Sequence, residues 1–392
     1  MTDIKENDVL KKLNSVDYKF APDFGLVVSR QYISQNSSQV SYPCGTERSV
    51  PVEFEINISE ADYVDGQKSY LSFEIKTNHD GDAQAGYGSG SALNVIKRVQ
   101  LISSDGQTID DLGNINQYHI IAQRWKKPNE YFTKSGKVSG HGSRPGGSYA
   151  IPLDFIPFFK YRSLIPSSIV NSMKVRFELD APENIIKDSA GRTDWVVDVN
   201  KPKLVLNTYT LDHKLHSTIK DAEIEYPSYK HQNRRYNTQN AKIPLNYTVS
   251  KAVKAFGVTR TIPPTDSFKF ISDGLVGDAY DLVKWRWRVG NKMNPSQPVT
   301  TVSESYMQSF TALDSPDDIS VGLDEFVSTF NNVSLDLRRT YGSQMMGGTP
   351  IDNSNLLEIH LNHTSATDKE INLFVPFMKR LIVQDGKLAI FE

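Results

Sequence analysis

Histidine and cysteine side chains are the groups in this 392-residue chain that could bind a transition metal. On a strand, two histidines separated by one residue share a face and can bind one metal ion together. His360 and His363 are three residues apart and should face opposite ways, so we predict no metal site and no cofactor. The lone Cys44 excludes an intramolecular disulfide and a cysteine zinc site, and it indicates folding in a reducing compartment. The other histidines are His79, His119, His141, His213, His216 and His231.

Sequence motifs for nucleophilic catalysis and phosphate binding are missing. There is no Gly-x-Ser-x-Gly elbow. Gly86, Gly88 and Gly90 form a Gly-Tyr-Gly-Ser-Gly run, but no Gly-Lys-Ser/Thr follows, and we interpret this run as a surface loop. We therefore predict no catalytic, cofactor-binding or metal-binding residue, and a protein that is not an enzyme. A cupin-type metalloenzyme is only the third hypothesis.

Residues 285–288 (Trp-Arg-Trp-Arg) interleave aromatic and basic side chains, as proteins that bind single-stranded nucleic acids do. Strand alternation explains the same residues more simply, with both tryptophans inward and both arginines outward. The net charge is −2, with 44 basic and 46 acidic residues, so charge gives no support for bulk nucleic-acid binding. Arg234, Arg235 and Tyr236 could touch a neighbouring molecule or a genome, or could lie in a solvated linker. We predict no specific nucleic-acid binding.

Apolar and polar residues alternate along many segments, as in antiparallel strands that bury one face. Val52 and Phe54, for example, alternate with Glu53 and Glu55. The strands predicted for the first half are 50–58, 69–77, 94–103, 148–158, 173–179 and 203–211. Those predicted for the second half are 242–249, 253–261, 282–289, 333–338, 356–362, 371–377 and 380–391.

Two amphipathic helices are predicted, one in each half of the chain. Residues 114–125 place Ile115, Tyr118, Ile121 and Trp125 on one face, with Asn114 as the N-cap. Residues 303–313 place Tyr306, Phe310 and Leu313 on one face, with Ser303 as the N-cap. Each helix falls between the third and fourth of its half's predicted strands.

The order of three strands, a helix and at least three more strands therefore occurs twice. This repeat predicts an all-β fold of two tandem eight-stranded antiparallel jelly-roll sandwiches with short inserted helices. Alternation alone would also fit an immunoglobulin-like sandwich, but each half is longer than such domains and carries a helix and long loops. We place an N-terminal arm at 1–30, the first jelly roll at 31–215 and the second at 216–392. The crossing between them should lie within 212–240, a polar segment with few apolar anchors.

Several segments, taken in order, resemble one protein family. Residues 148–179 contain an Ile-Pro-Leu strand, a loop with Leu-Ile-Pro and an alternating strand. Residues 53–77 carry Phe-x-Ile, Asp-Tyr-Val-Asp and Ser-Tyr-Leu in turn, and residues 381–391 close the chain with a strand around Gly386. With 282–298 and 333–361, they resemble the double jelly-roll major capsid proteins of the Polinton, virophage and adenovirus-like lineage of DNA viruses.

The resemblance implies a structural role. In that family, three chains form a homotrimer of pseudo-hexameric outline that tiles an icosahedral shell. The implied partners are neighbouring capsomers, penton proteins, and minor capsid or cement proteins. The implied location is the virion, after synthesis and assembly inside the host cell. The arm at 1–30 has two interpretations: a segment beneath the shell that contacts an internal membrane or neighbouring trimers, or a disordered end. The alternative function is a tandem β-sandwich binding module, such as an adhesin, a lectin or a receptor-binding spike.

Overall fold

The computed structural model describes residues 27–45, 50–80, 82, 84–87, 91–126, 146–161, 163–211, 222–262, 275, 277, 281–313, 321–328, 331–338, 348–384 and 387–392. Within these ranges, no helix is both long enough and apolar enough to cross a membrane.

The first half of the chain is a β-sandwich. Its strands are β1 (Val27–Asn36), β2 (Ser41–Pro43), β3 (Val52–Glu55), β4 (Asp62–Thr77), β5 (Ala85–Tyr87), β6 (Ile96–Ile102), β7 (Thr108–Leu112), β8 (Gly147–Pro152), β9 (Ile165–Pro166), β10 (Lys174–Leu179), β11 (Ile186–Asp188) and β12 (Val197–Leu211). Its helices are α1 (Ile115–Lys126), α2 (Ser167–Val170) and α3 (Pro182–Ile185), with 3₁₀ turns at Ala92–Val95, Leu153–Phe155 and Pro157–Lys160.

The second half repeats this architecture. Its strands are β13 (Ala222–Tyr236), β14 (Asn240–Pro244), β15 (Val249–Ala252), β16 (Lys254–Thr261), β17 (Leu282–Val289), β18 (Lys292–Val299), β19 (Val333–Asp336), β20 (Thr349–Ile351), β21 (Leu357–His363), β22 (Lys369–Gln384) and β23 (Lys387–Phe391). Its helices are α4 (Val302–Ala312) and α5 (Leu323–Ser328).

Strand pairing identifies both halves as jelly rolls. The first half has one sheet in the order β1-β12-β4-β8 and a facing sheet in the order β3-β10-β6-β7. The second half has β13-β22-β16-β19 and β14-β21-β17-β18. If the eight main strands of each half are numbered along the chain, both halves read 1-8-3-6 and 2-7-4-5. This shared order is that of an eight-stranded double-sheet jelly roll, and it confirms the predicted fold class.

Apolar side chains from the two sheets of each sandwich meet in its core. In the first sandwich, Val52 and Phe177 of one sheet and Leu71 and Phe73 of the other line the same small apolar cavity. In the second, Trp287 and Ile359 of one sheet share a core with Leu373 and other residues of the opposite sheet. The alternation used for prediction is therefore the alternation between core and exterior.

More than half of the polar segment 212–240, within which the crossing was expected, is a strand. Residues 222–236 form β13, which pairs with β22 along fifteen residues, from Ala222 opposite Val383 to Tyr236 opposite Lys369. The strand was missed because polar side chains occupy most of its positions, while Ile224, Tyr226 and Tyr229 are buried. The predicted crossing at 215/216 lies outside the described residues and stays a prediction, as does the arm boundary, although β1 begins at Val27.

Two further expectations need correction. The last strand, predicted as 380–391, is two strands: β22 continues to Gln384, which pairs with Lys387 at the start of β23. The second helix begins at Val302, with Thr301 as its N-cap in place of Ser303, because the Thr301 side chain accepts the Glu304 N–H in a capping box. Pro244 lies in β14, which is an edge strand of its sheet.

Candidate functional site at the junction of the two sandwiches

The two sandwiches meet at a buried contact that we call the junction. From the first sandwich it uses β7, α1 and the 3₁₀ turn Pro157–Lys160. From the second it uses the outer face of the β13-β22-β16 sheet, whose Phe374 and Phe256 belong to the large apolar cluster of the first sandwich. Because β22 thus has the second core on one face and the junction on the other, it is buried along most of its length.

Four aromatic rings form one apolar cluster of the junction. Tyr118 of α1 stacks on Tyr229 of β13 with ring centroids 4.0 Å apart and an interplanar angle of 12°. The Tyr118 ring also lies 5.7 Å from Phe256 and 5.6 Å from Phe374, which stack on each other at 5.1 Å. Burial raises the pKa of both tyrosines above the ordinary range. Each favourable aromatic pair contributes about 0.5–1.5 kcal/mol in addition to the burial of its apolar surface. The cluster therefore stabilises one relative placement of the two sandwiches.

A buried carboxylate forms the polar part of the junction. Asp110 of β7 accepts from Ser228 Oγ at 2.7 Å and from Tyr226 Oη at 2.9 Å, and it pairs with Lys379 Nζ at 3.4 Å. All four residues are buried. Desolvation of the buried carboxyl raises the pKa of Asp110, although these three donors favour its charged form. Each donor comes from the second sandwich and the acceptor from the first, so the carboxylate cross-links the two.

Lys379 also links this cluster to Glu392. Lys379 Nζ lies 2.8 Å from Glu392 Oε1, and Lys230 pairs with the same carboxylate. Desolvation opposes ionisation of Glu392, but the two ammonium groups outweigh it and hold the pKa of this carboxyl below its ordinary value. Lys379 therefore lies between the carboxylates of Asp110 and Glu392.

Asn372 of β22 collects hydrogen bonds at the far side of the aromatic cluster. Its Oδ1 accepts from Asn114 Nδ2 and from Asn233 Nδ2, both at 2.8 Å, and lies 3.0 Å from His231 Nε2. Burial is the main cause that lowers the pKa of His231. A Cβ at Gly113 would lie 2.6 Å from His231 Nδ1, so this glycine permits the close approach of the two sandwiches.

His360 and His363 do not come together in the structure. His360 lies on the outer side of its strand beside Glu358, at 2.5 Å, and His363 is buried beside Asp281, at 3.0 Å. They face opposite ways, as the spacing predicted. In the described part of the chain, no group of three or more His, Cys, Asp or Glu side chains could hold a metal ion.

The aromatic and basic strand is oriented as predicted. Trp285 and Trp287 are buried, and the Trp285 indole N–H donates to Ser305 Oγ at 3.1 Å. Arg288 points outward and pairs with Glu358 at 3.4 Å. Arg235 lies in β13, with its guanidinium 3.5 Å from Glu370, and not in a linker. Of the glycine run, Gly86 lies in the short strand β5, while Gly88 and Gly90 fall outside the described residues, as do His141, His213 and His216.

None of the charged residues of the junction was predicted from the sequence, although Tyr118 was expected on the apolar face of its helix. Two signals were available: Asp110 occupies a strand next to the buried Ile109, and Lys379 interrupts an apolar run. A charge within an apolar strand indicates a buried pair or a partner, but it does not identify which residue supplies that partner.

No protein-family model matches the sequence, and no curated protein matches it. Solved structures match over nearly the whole chain. The Faustovirus major capsid protein is 8% identical, with a TM-score of 0.62 over 97% of this chain and 98% of its own. A chain of the PBCV-1 virus capsid is 12% identical, with a TM-score of 0.61 over 92% of this chain and 96% of its own. The mavirus major capsid protein is 11% identical, with a TM-score of 0.55 over 92% of this chain and 89% of its own. At such identities the similarity establishes the fold, and the predicted resemblance to double jelly-roll capsid proteins is confirmed at that level.

Proposed function

We propose that this protein is a major capsid protein, a structural building block of an icosahedral virus shell. The observation that carries the proposal is the match of the whole double jelly roll, both sandwiches and their placement, to the Faustovirus major capsid protein over 97% and 98% of the two chains. Two sandwiches fixed to each other by a buried contact also suit a rigid subunit of a lattice. The junction supplies such rigidity.

The proposed assembly is a homotrimer of pseudo-hexameric outline. Two sandwiches of one topology in each chain, multiplied by three chains, give six similar corners for lattice contacts. Interfaces of this obligate kind bury on the order of several thousand Å². The subunit requires no catalytic chemistry, and none is proposed.

The proposed location is the virion, where the trimers contact neighbouring capsomers, penton proteins, and minor capsid or cement proteins. Residues 27–30 of the predicted arm at 1–30 lie in β1, and for the part before β1 we propose a place beneath the shell, against an internal membrane or an adjacent trimer. The proposal includes synthesis and assembly inside the host cell and no specific recognition of nucleic acid.

Sedimentation analysis of the purified full-length chain, followed by negative-stain electron microscopy, tests the proposal. The expected particle has three times the 44.1 kDa chain mass and a pseudo-hexagonal outline. A monomer at every concentration near neutral pH would contradict it. If that monomer also bound specific sugars on a glycan array, the alternative of a tandem β-sandwich binding module would be favoured.

A further inference from the structure

The outer face of the β14-β21-β17-β18 sheet carries an excess of positive charge. On β17, Lys284, Arg286 and Arg288 alternate with the buried Trp285 and Trp287. Because successive side chains of a strand point to opposite faces, the three cations point away from the core of the second sandwich. The junction uses the other sheet of this sandwich, so these cations lie on the opposite side of the core from the junction.

Lys242 of β14 extends this surface across the sheet. It pairs in register with His360 of β21, which pairs on its other side with Arg286. Residues in such a row share one face of the sheet. We call this surface the basic face; its cations are Lys242, Lys284, Arg286 and Arg288.

The basic face has too few carboxylates to neutralise it. Its four strands contain five basic residues and one acidic residue, Glu358. The Glu358 carboxylate lies 3.4 Å from Arg288. In the described part of the chain, no carboxylate pairs with Lys242, Lys284 or Arg286. Three of the four cations therefore remain available to a partner.

The equivalent sheet of the first sandwich, β3-β10-β6-β7, shows that the topology does not require this excess. Its strands contain four basic and five acidic residues. These pair across the strands, Arg176 with Glu53 at 2.8 Å and Arg98 with Asp111 at 2.6 Å. One sandwich thus neutralises its outer face internally, and that face of a second copy does not complement the basic face.

Two features favour a polypeptide over a nucleic acid as the partner. Proteins that bind single-stranded nucleic acids stack bases on exposed aromatic rings. Among the residues of these four strands, the only tryptophan, tyrosine or phenylalanine side chains are Trp285 and Trp287, and both are buried. The face also offers apolar contacts, since Val283 on β17 is 43% exposed and Met293 of β18 lies opposite Arg288. An acidic peptide with apolar side chains would use both kinds of contact.

The spacing of the cations suits an extended segment. Alternate residues of a strand stand about 7 Å apart, so Lys284, Arg286 and Arg288 form a row with that repeat. The side chains on one side of an extended peptide have the same repeat, so alternating carboxylates can each meet a cation. Both edge strands of the sheet contain proline, Pro244 in β14 and Pro295 in β18, which lacks the N–H that strand addition uses. The sheet therefore offers its face to a partner in preference to its edges.

We propose that the basic face binds an extended acidic segment of a second protein of the shell, with alternating Asp or Glu side chains on Lys284, Arg286 and Arg288. This inference rests on the proposed function, because it gives the proposed minor capsid or cement protein a binding surface. Since the charges are exposed to solvent, the affinity should fall as the ionic strength rises.

Fluorescence anisotropy of a labelled peptide of alternating Glu and Leu, titrated with the full-length protein at low ionic strength, tests the proposal. The combined change Lys284→Gln and Arg286→Gln should weaken binding about tenfold, as expected for the loss of two exposed ion pairs. The matched control, Lys174→Gln with Lys187→Gln, removes the same charge from exposed positions of the first sandwich and should leave the affinity unchanged. Both double variants should keep the wild-type circular dichroism and sedimentation, and the same peptide with Gln in place of Glu should not bind.

Three results would overturn the proposal. The first is a wild-type protein that does not bind the acidic peptide, and the second is equal weakening by the two double variants, which would show that overall charge alone matters. The third is tighter binding of an oligothymidylate of equal net charge, lost with Lys284→Gln and Arg286→Gln, which would make the partner a nucleic acid. Failure of the proposed function is a separate result, because a monomeric wild type in sedimentation would reveal it whatever the affinity for the peptide.

Discussion

Asp110 is the residue on which the polar part of the junction converges. Its carboxylate is 2% exposed and has three donors from the second sandwich, so removing it leaves Lys379, Tyr226 and Ser228 without that acceptor. Breaking one side of a buried ion pair costs about 3–5 kcal/mol, whereas breaking an exposed pair costs below about 1 kcal/mol. The difference arises because the remaining charge stays buried.

We therefore expect Asp110→Ala to lower the free energy of unfolding by about 3 kcal/mol, measured by urea denaturation at a fixed protein concentration. The matched control is Asp111→Ala, the next residue, which is exposed and pairs with Arg98 at 2.6 Å. It should change the free energy by less than about 1 kcal/mol. Equal losses for both variants would show that the junction carboxylate adds nothing beyond a surface pair.

His231 should make the junction sensitive to acid. Its pKa in the folded protein is lowered from 6.5, mainly by burial, so the unfolded chain binds the proton more readily. The stability that this group provides is present above about pH 6.5 and is lost as the pH falls from there towards the folded-state pKa. Between pH 8 and pH 5 the melting temperature of the wild type should fall further than that of His231→Gln. Parallel curves over this range would contradict the prediction.

Local alternation was enough to predict the orientation of individual side chains, as with Trp285 and Trp287 inward and Arg288 outward. It could not predict Asp110 with Lys379, because these residues are distant in sequence and lie in different sandwiches. Alternation with the two tryptophans would place Val283 inward, but Val283 is exposed, since the pairing register shifts between Leu282 and Lys284.

Among the elements, helix α4 offers a direct test of an N-cap that the sequence analysis misplaced. Thr301 Oγ1 accepts from the Glu304 N–H at 3.2 Å, and the Glu304 carboxylate accepts from the Thr301 N–H at 3.2 Å. Thr301→Ala should therefore cost about 1 kcal/mol of unfolding free energy. The matched control, Ser303→Ala, removes the residue expected from the sequence and should change it by less than about 0.5 kcal/mol. A larger loss for Ser303→Ala would restore the original prediction.

Strands with regular alternation were predictable, and strands with two buried faces or few apolar residues were not. Residues 371–377 were predicted as a strand, but β22 extends on both sides of them because the sheet and the junction bury it together. β13 was not predicted because its buried positions include the polar Ser228 and Gln232, which make hydrogen bonds to Asp110 and to the Pro244 carbonyl. Whether such strands form, and where they end, depends on tertiary contacts that a local sequence pattern does not contain.

For the whole molecule, the duplicated fold was predictable because both halves repeat one order of strands and helix. The relative placement of the halves was not, since it depends on the junction. We expect the fragments 1–215 and 216–392 to copurify when they are expressed together, because their aromatic and charged surfaces complete each other. Phe374→Asp in the second fragment should abolish copurification, while Val50→Glu in the first should not. Failure of the unaltered fragments to copurify would argue against the predicted boundary.

The position of the last main strand of each sandwich has a consequence for synthesis. β12 lies between β1 and β4, and β22 lies between β13 and β16, so each sheet is closed by the last of its main strands to be synthesised. The first sheet remains open until residues 197–211 emerge, and the second until 369–384 emerge. Such long-range pairing folds slowly and leaves strand edges exposed in the nascent chain. The first sandwich therefore closes first and offers its junction surface as a template for the second.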